Sequence, residues 1–75
     1  MKVGREVERR QSANGKHTLR IFARGPASFY FVELSELTET GETFWAATRT
    51  SEDHGSLEAA RDAALRRLPW LKGAV

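Results

Sequence analysis

Thr18-Leu19-Arg20-Ile21-Phe22-Ala23-Arg24, then Gly25-Pro26, then Ser28-Phe29-Tyr30-Phe31-Val32-Glu33-Leu34-Ser35-Glu36-Leu37 is the stretch that decides the fold. Its first half alternates apolar and polar residues, the period of a strand with one buried face. Its second half is rich in aromatic and branched residues, which suit a pleated surface. Gly25-Pro26 breaks the run, because proline fixes φ and has no N–H to give to a ladder. The stretch reads as two strands joined by a tight turn.

The pattern extends in both directions. Upstream, Val3, Arg5, Val7 and Arg9 alternate with Glu6, Glu8 and Arg10, and Ala13-Asn14-Gly15 signals a turn. Downstream, Glu39-Thr40-Gly41 is a further turn and Thr43–Thr50 a fourth strand.

Asn-Gly usually marks a two-residue loop, which would pair Val7 with Phe22. A three-residue loop, Ala13-Asn14-Gly15, pairs Val7 with Ile21 and Glu8 with Arg20 and keeps apolar residues on one face. Gly15 then takes a left-handed conformation that costs glycine no Cβ clash. By the same logic a turn at Gly25-Pro26 pairs Ile21 with Tyr30 and Leu19 with Val32. A three-residue loop at Glu39-Thr40-Gly41 pairs Leu34 with Ala46 and Val32 with Thr48. The predicted core face collects Val7, Leu19, Ile21, Ala23, Tyr30, Val32, Leu34, Phe44 and Ala46. A slip of one residue would reverse the faces.

A helix follows. Ser56 is placed to cap it, and Glu58 in its first turn suits the helix dipole. Leu57, Ala60, Ala64 and Leu68 recur at helical spacing, flanked by Leu65 and Ala63. Arg66 and Arg67 favour its C-terminal end and Pro69 stops it. Trp70 and Leu71 are expected to fold back onto the core edge. The expected architecture is α+β: a four-stranded antiparallel meander with one C-terminal amphipathic helix packed on one face. Residues 1–75 form one domain. Met1–Gly4 and Gly73–Val75 are expected to fray.

A chain of 75 residues buries only about 60% of the surface its unfolded form exposes. It contains no cysteine, which excludes disulfides, thiolate metal sites and cysteine nucleophiles. The start MKVGREVERR has no apolar run, and no stretch is long and apolar enough for a membrane span. These features point to the cytoplasm and to no membrane partner. Nine arginines and three lysines give a net charge of only +2, which neither establishes nor excludes nucleic-acid binding.

Signatures of enzymes are missing: there is no phosphate-cradling glycine loop, no nucleophile elbow and no His-Glu-x-x-His. His17 and His54 read as solvated loop residues, with no ligand cluster beside either. Glu52-Asp53-His54 reads as an acidic helix entry rather than an acid–base site. Glu33 and Glu36 fall on opposite faces of one strand, with Glu36 on the nominal core side. The chain reads as a non-enzymatic protein with no cofactor and no metal site.

One helix covers one face of a sheet, so the second face is expected to be open. The registers above place Arg20, Phe22, Phe29, Phe31, Trp45 and Arg49 on it, bordered by Arg10 and Arg24. Such a group supports three readings. It is a protein interface or homodimer contact, formed face to face or by strand addition, since aromatics and arginine are enriched in such patches. It is a nucleic-acid platform, with bases stacked on rings and arginines on phosphates. Or its arginines lie flat over the rings and cover them. Glu6, Glu8 and Glu33 share the expected face and oppose phosphate. On the nucleic-acid reading, Phe31→Ala and Arg20→Ala each weaken single-strand binding. The leading expectation is an interaction module for a protein partner or a second copy, with nucleic-acid binding as the alternative.

Ser56-Leu57-Glu58-Ala59-Ala60-Arg61-Asp62-Ala63-Ala64 is similar to the alanine-rich helix of plant-type AP2 and integrase arm-type DNA-binding domains, and HicB-type antitoxin domains carry a comparable helix after strands. The likeness implies an architecture in which a sheet, rather than the helix, meets DNA. It is limited to these residues, and no functional residue is carried over from it.

Overall fold

A computed structural model describes residues 4–73. Strands β1 (Arg5–Gln11), β2 (His17–Gly25), β3 (Ser28–Glu39) and β4 (Glu42–Thr50) are followed by helix α1 (Leu57–Arg67) and a 3-10 turn over Pro69–Gly73. The four strands form one antiparallel sheet in the order β1-β2-β3-β4. The helix packs on β2 and β3. The expected α+β meander with one C-terminal helix is therefore the architecture of the chain. Val3 and the expected fraying at residues 1–3 and 74–75 lie outside the described residues.

The helix forms as its sequence directs. Ser56 caps it, its hydroxyl accepting the Ala59 N–H at 3.1 Å. Ala60, Ala63 and Ala64 are fully buried against the sheet. Their small side chains let the helix backbone approach closely. Leu68 closes the helix by donating its N–H to the Ala64 carbonyl at 2.9 Å. Pro69 then starts the 3-10 turn, which returns Leu71 to the core and packs Trp70 against its rim. Leu19, Ile21, Phe31 and Leu68 are the largest fully buried side chains. Burial of each such side chain contributes about 1.5–3 kcal/mol.

The register differs from the expected one at all three hairpins. Between β1 and β2 the pairs are Arg10↔Leu19 and Glu8↔Ile21, and then, past a bulge at Val7, Glu6↔Phe22. The connection is a longer loop: Ser12 donates its N–H to the His17 carbonyl at 2.9 Å, and Gly15 to the Ser12 carbonyl at 3.0 Å. Gly15 is left-handed as expected, at φ 74°. The Asn14 side-chain carbonyl holds the loop by accepting from the Lys16 N–H and the Ser12 hydroxyl.

Between β2 and β3 the turn is Pro26-Ala27 rather than Gly25-Pro26, with Gly25 opposite Ser28. A bulge at Arg24 absorbs one residue, and Ile21 then faces Phe31 instead of Tyr30. Between β3 and β4 the turn has two residues, Thr40 and Gly41, at φ 50° and 84°. This is the primed hairpin geometry whose twist matches the strands. Ser35 consequently pairs with Ala46, and Trp45 with Glu36, until a bulge at Thr48 brings Arg49 opposite Glu33.

The one-residue slip at Arg24 exchanges the faces of β3. Phe29, Phe31, Glu33 and Ser35 point to the helix side, and Tyr30, Val32, Leu34 and Glu36 to the other. Tyr30, Val32 and Leu34, expected on the core face, thus lie on the opposite one, where Tyr30 is nonetheless buried. Phe44 remains on the helix side but lies beyond the helix and is exposed.

Candidate functional site

The face away from the helix does carry aromatics and arginines, but not the expected set. Arg20, Phe22 and Trp45 lie on it. Phe31 does not: it is fully buried at the centre of the core. Phe29 packs half-buried against the same core, its backbone bridged to His54 in both directions. Arg49 stands opposite Glu33 in the ladder, on the helix side. The physical reason is the Arg24 bulge, which reverses β3; the two-residue turn keeps Trp45 on the open face, and the Thr48 bulge returns Arg49 to the side of Glu33. Tyr30, Val32 and Leu34 take the vacated places.

This face has two halves. On the β1–β2–β3 half the rings are roofed by the chain's own arginines. Phe22 and Tyr30 stack at 5.3 Å between centroids. The Arg20 guanidinium lies 5.1 Å over Phe22, and that of Arg24 lies 4.3 Å over Tyr30. Both arginines are tied to carboxylates, Arg20 to Glu6 and Arg24 to Asp53 at 3.4 Å. Glu6 also holds Arg9 at 3.3 Å. Arg20 first, and Arg9 with it, hold the Glu6 carboxyl below the usual 4.5. Gly4 closes over this half at φ 122°, where a Cβ would sit 3.2 Å from the Ala23 carbonyl oxygen.

The β3–β4 half is different. The hairpin from Glu36 to Trp45 extends past the helix as an arm. Leu37 and Phe44, paired across it on the helix side, are 39% and 42% exposed. Trp45, on the opposite side, is 47% exposed. Apolar surface is thus presented on both faces of the arm. It carries Glu36, Glu39 and Glu42 and no basic residue.

A second cluster lies under the 3-10 turn on the helix side. Trp70 stacks on His17 at 5.5 Å and donates its indole N–H to Glu33 at 2.7 Å. Glu33 also accepts from the Thr48 hydroxyl at 2.8 Å. The Ser35 hydroxyl contacts His17 Nδ1 and the Thr48 hydroxyl, both at 2.9 Å. Glu33, not Glu36, is the carboxylate on the core side, and His17 is half-buried rather than solvated. The Ser35–His17 contact resembles part of a nucleophilic dyad. Ser35 is buried, and among the described residues no carboxylate contacts the far nitrogen of His17; Trp70 rests on this cluster through His17 and Glu33. This cluster escaped sequence reading because its members come from β2, β3, β4 and the turn, with no motif spacing.

Glu52-Asp53-His54 is likewise structural. Glu52 accepts two hydrogen bonds from the Arg67 guanidinium, at 2.8 and 2.7 Å, which hold its carboxyl down at about 2. Asp53 pairs with Arg24, so neither carboxylate serves the helix N-terminus. His54 is largely buried against Phe31, ring centroids 6.5 Å apart, rather than solvated. Its Nε2 has no hydrogen-bond partner among the described residues and stands 3.8 Å from the Glu52 carboxylate.

A shallow pocket of about 260 Å³ lies beside the helix, floored by Leu19, Leu65 and Leu71. On its rim Glu8 binds both Arg61 and Arg10, with Lys72 beside them. Among the described residues no group of His, Cys, Asp and Glu could hold a metal, and no helix is long and apolar enough to cross a membrane. No protein-family model, curated protein or solved structure matches the chain.

Proposed function

We propose that the chain is a non-enzymatic protein-binding module that docks through the β3–β4 arm and the adjoining outer half of the open sheet face. One observation carries this reading: Leu37, Phe44 and Trp45 are exposed together on a segment with three glutamates and no basic residue. Carboxylates around an apolar surface repel phosphate and favour a partner that is apolar and basic. Trp is among the residue types that most often dominate a protein interface. The absence of cysteine fits a reducing compartment, the cytoplasm, as its place of work.

Nucleic-acid binding through the same sheet is the second reading. It draws on Arg9, Arg20 and Arg24 beside Phe22 and Tyr30. Intramolecular pairing of these arginines, and the position of Arg20 and Arg24 over the rings, weigh against it.

A random peptide library panned against the immobilised chain tests both. Enriched peptides should combine aromatic or aliphatic residues with Lys or Arg, and Trp45→Ala should lose them. Mixed-sequence single-stranded DNA and RNA should leave the tryptophan fluorescence unchanged at low salt. Oligonucleotide binding with a steep salt dependence, and no enriched peptide, would overturn the proposal.

A further inference from the structure

The two edges of the sheet are built differently. The β1 edge is charged along its length, with Arg5, Glu6, Glu8, Arg9 and Arg10, and is bent by the Val7 bulge. Charge and bulges are the usual protections of an edge strand. The β4 edge has neither over Thr43-Phe44-Trp45-Ala46-Ala47. That run contains no charge, glycine or proline, and all of it but Ala46 is exposed. Because Thr40-Gly41 is a two-residue turn, Glu39 and Glu42 form its hydrogen-bonded pair. The backbone N–H and C=O groups of Thr43, Trp45 and Ala47 therefore point outward, away from β3.

The ends of this strand carry opposite charges. Glu42 stands at one end and Arg49 at the other, and neither has an ion pair or side-chain hydrogen bond among the described residues. Both lie on the helix side of the sheet. An antiparallel copy of the strand, centred near Trp45, brings each Glu42 beside the Arg49 of the other copy. A parallel copy would set Glu42 beside Glu42. The strand is thus complementary to itself in one orientation only.

We infer that the β4 edge pairs antiparallel with the β4 edge of a second copy of this chain, joining two sheets into one of eight strands. The inference rests on the docking reading above and names its occupant. The outward groups of Thr43, Trp45 and Ala47 supply the ladder. The two Trp45 side chains become neighbours on one face, and the two Glu42–Arg49 pairs fix the register.

Sedimentation equilibrium of the full chain from micromolar to millimolar concentration provides the test. The mass should rise from the 8.4 kDa of the monomer towards twice that value. Ala47→Pro should abolish the rise with the circular dichroism unchanged, because the N–H it removes faces outward. Glu42→Arg and Arg49→Glu should each raise the dissociation constant about tenfold, and the double exchange should restore it to within about twofold. A monomer throughout the range overturns the inference. So does a dimer indifferent to Ala47→Pro and to the charge exchanges. Should Ala47→Pro disturb the fold, the charge exchanges still decide. A monomer that nevertheless selects Trp45-dependent peptides would sink the dimer and leave the docking surface standing.

Discussion

Phe31 shows what a single residue's parity decides. The run Phe29-Tyr30-Phe31-Val32 is apolar at every position, so its own composition does not say which residues face the helix. The assignment passes to the joint between β2 and β3: moving the turn to Pro26-Ala27 shifts the pairing by two and keeps the faces, and the bulge at Arg24 is what reverses them. Phe31 is fully buried, and its backbone N–H is capped by the Ser51 hydroxyl at 2.8 Å. Phe31→Ala should cost about 3–5 kcal/mol, read as a lower urea midpoint. An unchanged midpoint with reduced ligand binding would restore the surface role first expected for it. Trp45 was placed correctly on the open face because it lies on that side in either register, given the compensating shifts across β3.

The elements themselves were legible and their joints were not. Four strands, the Ser56 cap and the stop at Pro69 follow from alternation, helical spacing and capping chemistry. The turns misled because the Asn14-Gly15 doublet, the strongest two-residue signal, sits inside a longer loop closed by side-chain hydrogen bonds. The true two-residue turn is Thr40-Gly41, whose first residue holds an unfavourable left-handed backbone. Bulges at Val7, Arg24 and Thr48 have no sequence mark, since each is a compromise between hairpin geometry and face burial. Thr40 carries a β-branched side chain at φ 50°, where Asn is far better tolerated. Thr40→Asn should therefore raise stability by about 0.5–1 kcal/mol in chemical denaturation. A loss of stability would show that Thr40 is held by interactions the turn geometry does not require.

At the scale of the molecule, ion pairs link elements distant in sequence. Glu8 joins β1 to Arg61 of the helix, and Glu52 joins the segment after β4 to Arg67. Arg61 first, then Arg10, hold the Glu8 carboxyl below its usual 4.5, as Arg20 does for Glu6 and Arg67 for Glu52. A carboxylate held low in the folded state stabilises it above the unfolded value and loses that contribution as pH falls through the folded one. Stability should thus hold down to about pH 4.5 and decline towards the value of about 2 at Glu52. Thermal melts across this window check the sign. Glu8→Gln should flatten part of the slope, and a steeper acid loss in that variant would contradict the assignment. Charge is also divided over the molecule: with three glutamates on the arm, the remaining seven acidic residues face all twelve basic ones.

The helix follows every strand it covers, and this order sets a timetable for a chain emerging from the ribosome. Each hairpin joins neighbouring segments and closes within about 1–10 μs once both strands are available. Synthesis adds about 5–20 residues per second, so the stretch from Leu57 to Leu71 takes on the order of one to three seconds. Throughout that interval Leu19, Ile21 and Phe31 have no cover, whatever the speed of the strands. Commitment to the native state therefore waits on translation rather than on the search for contacts.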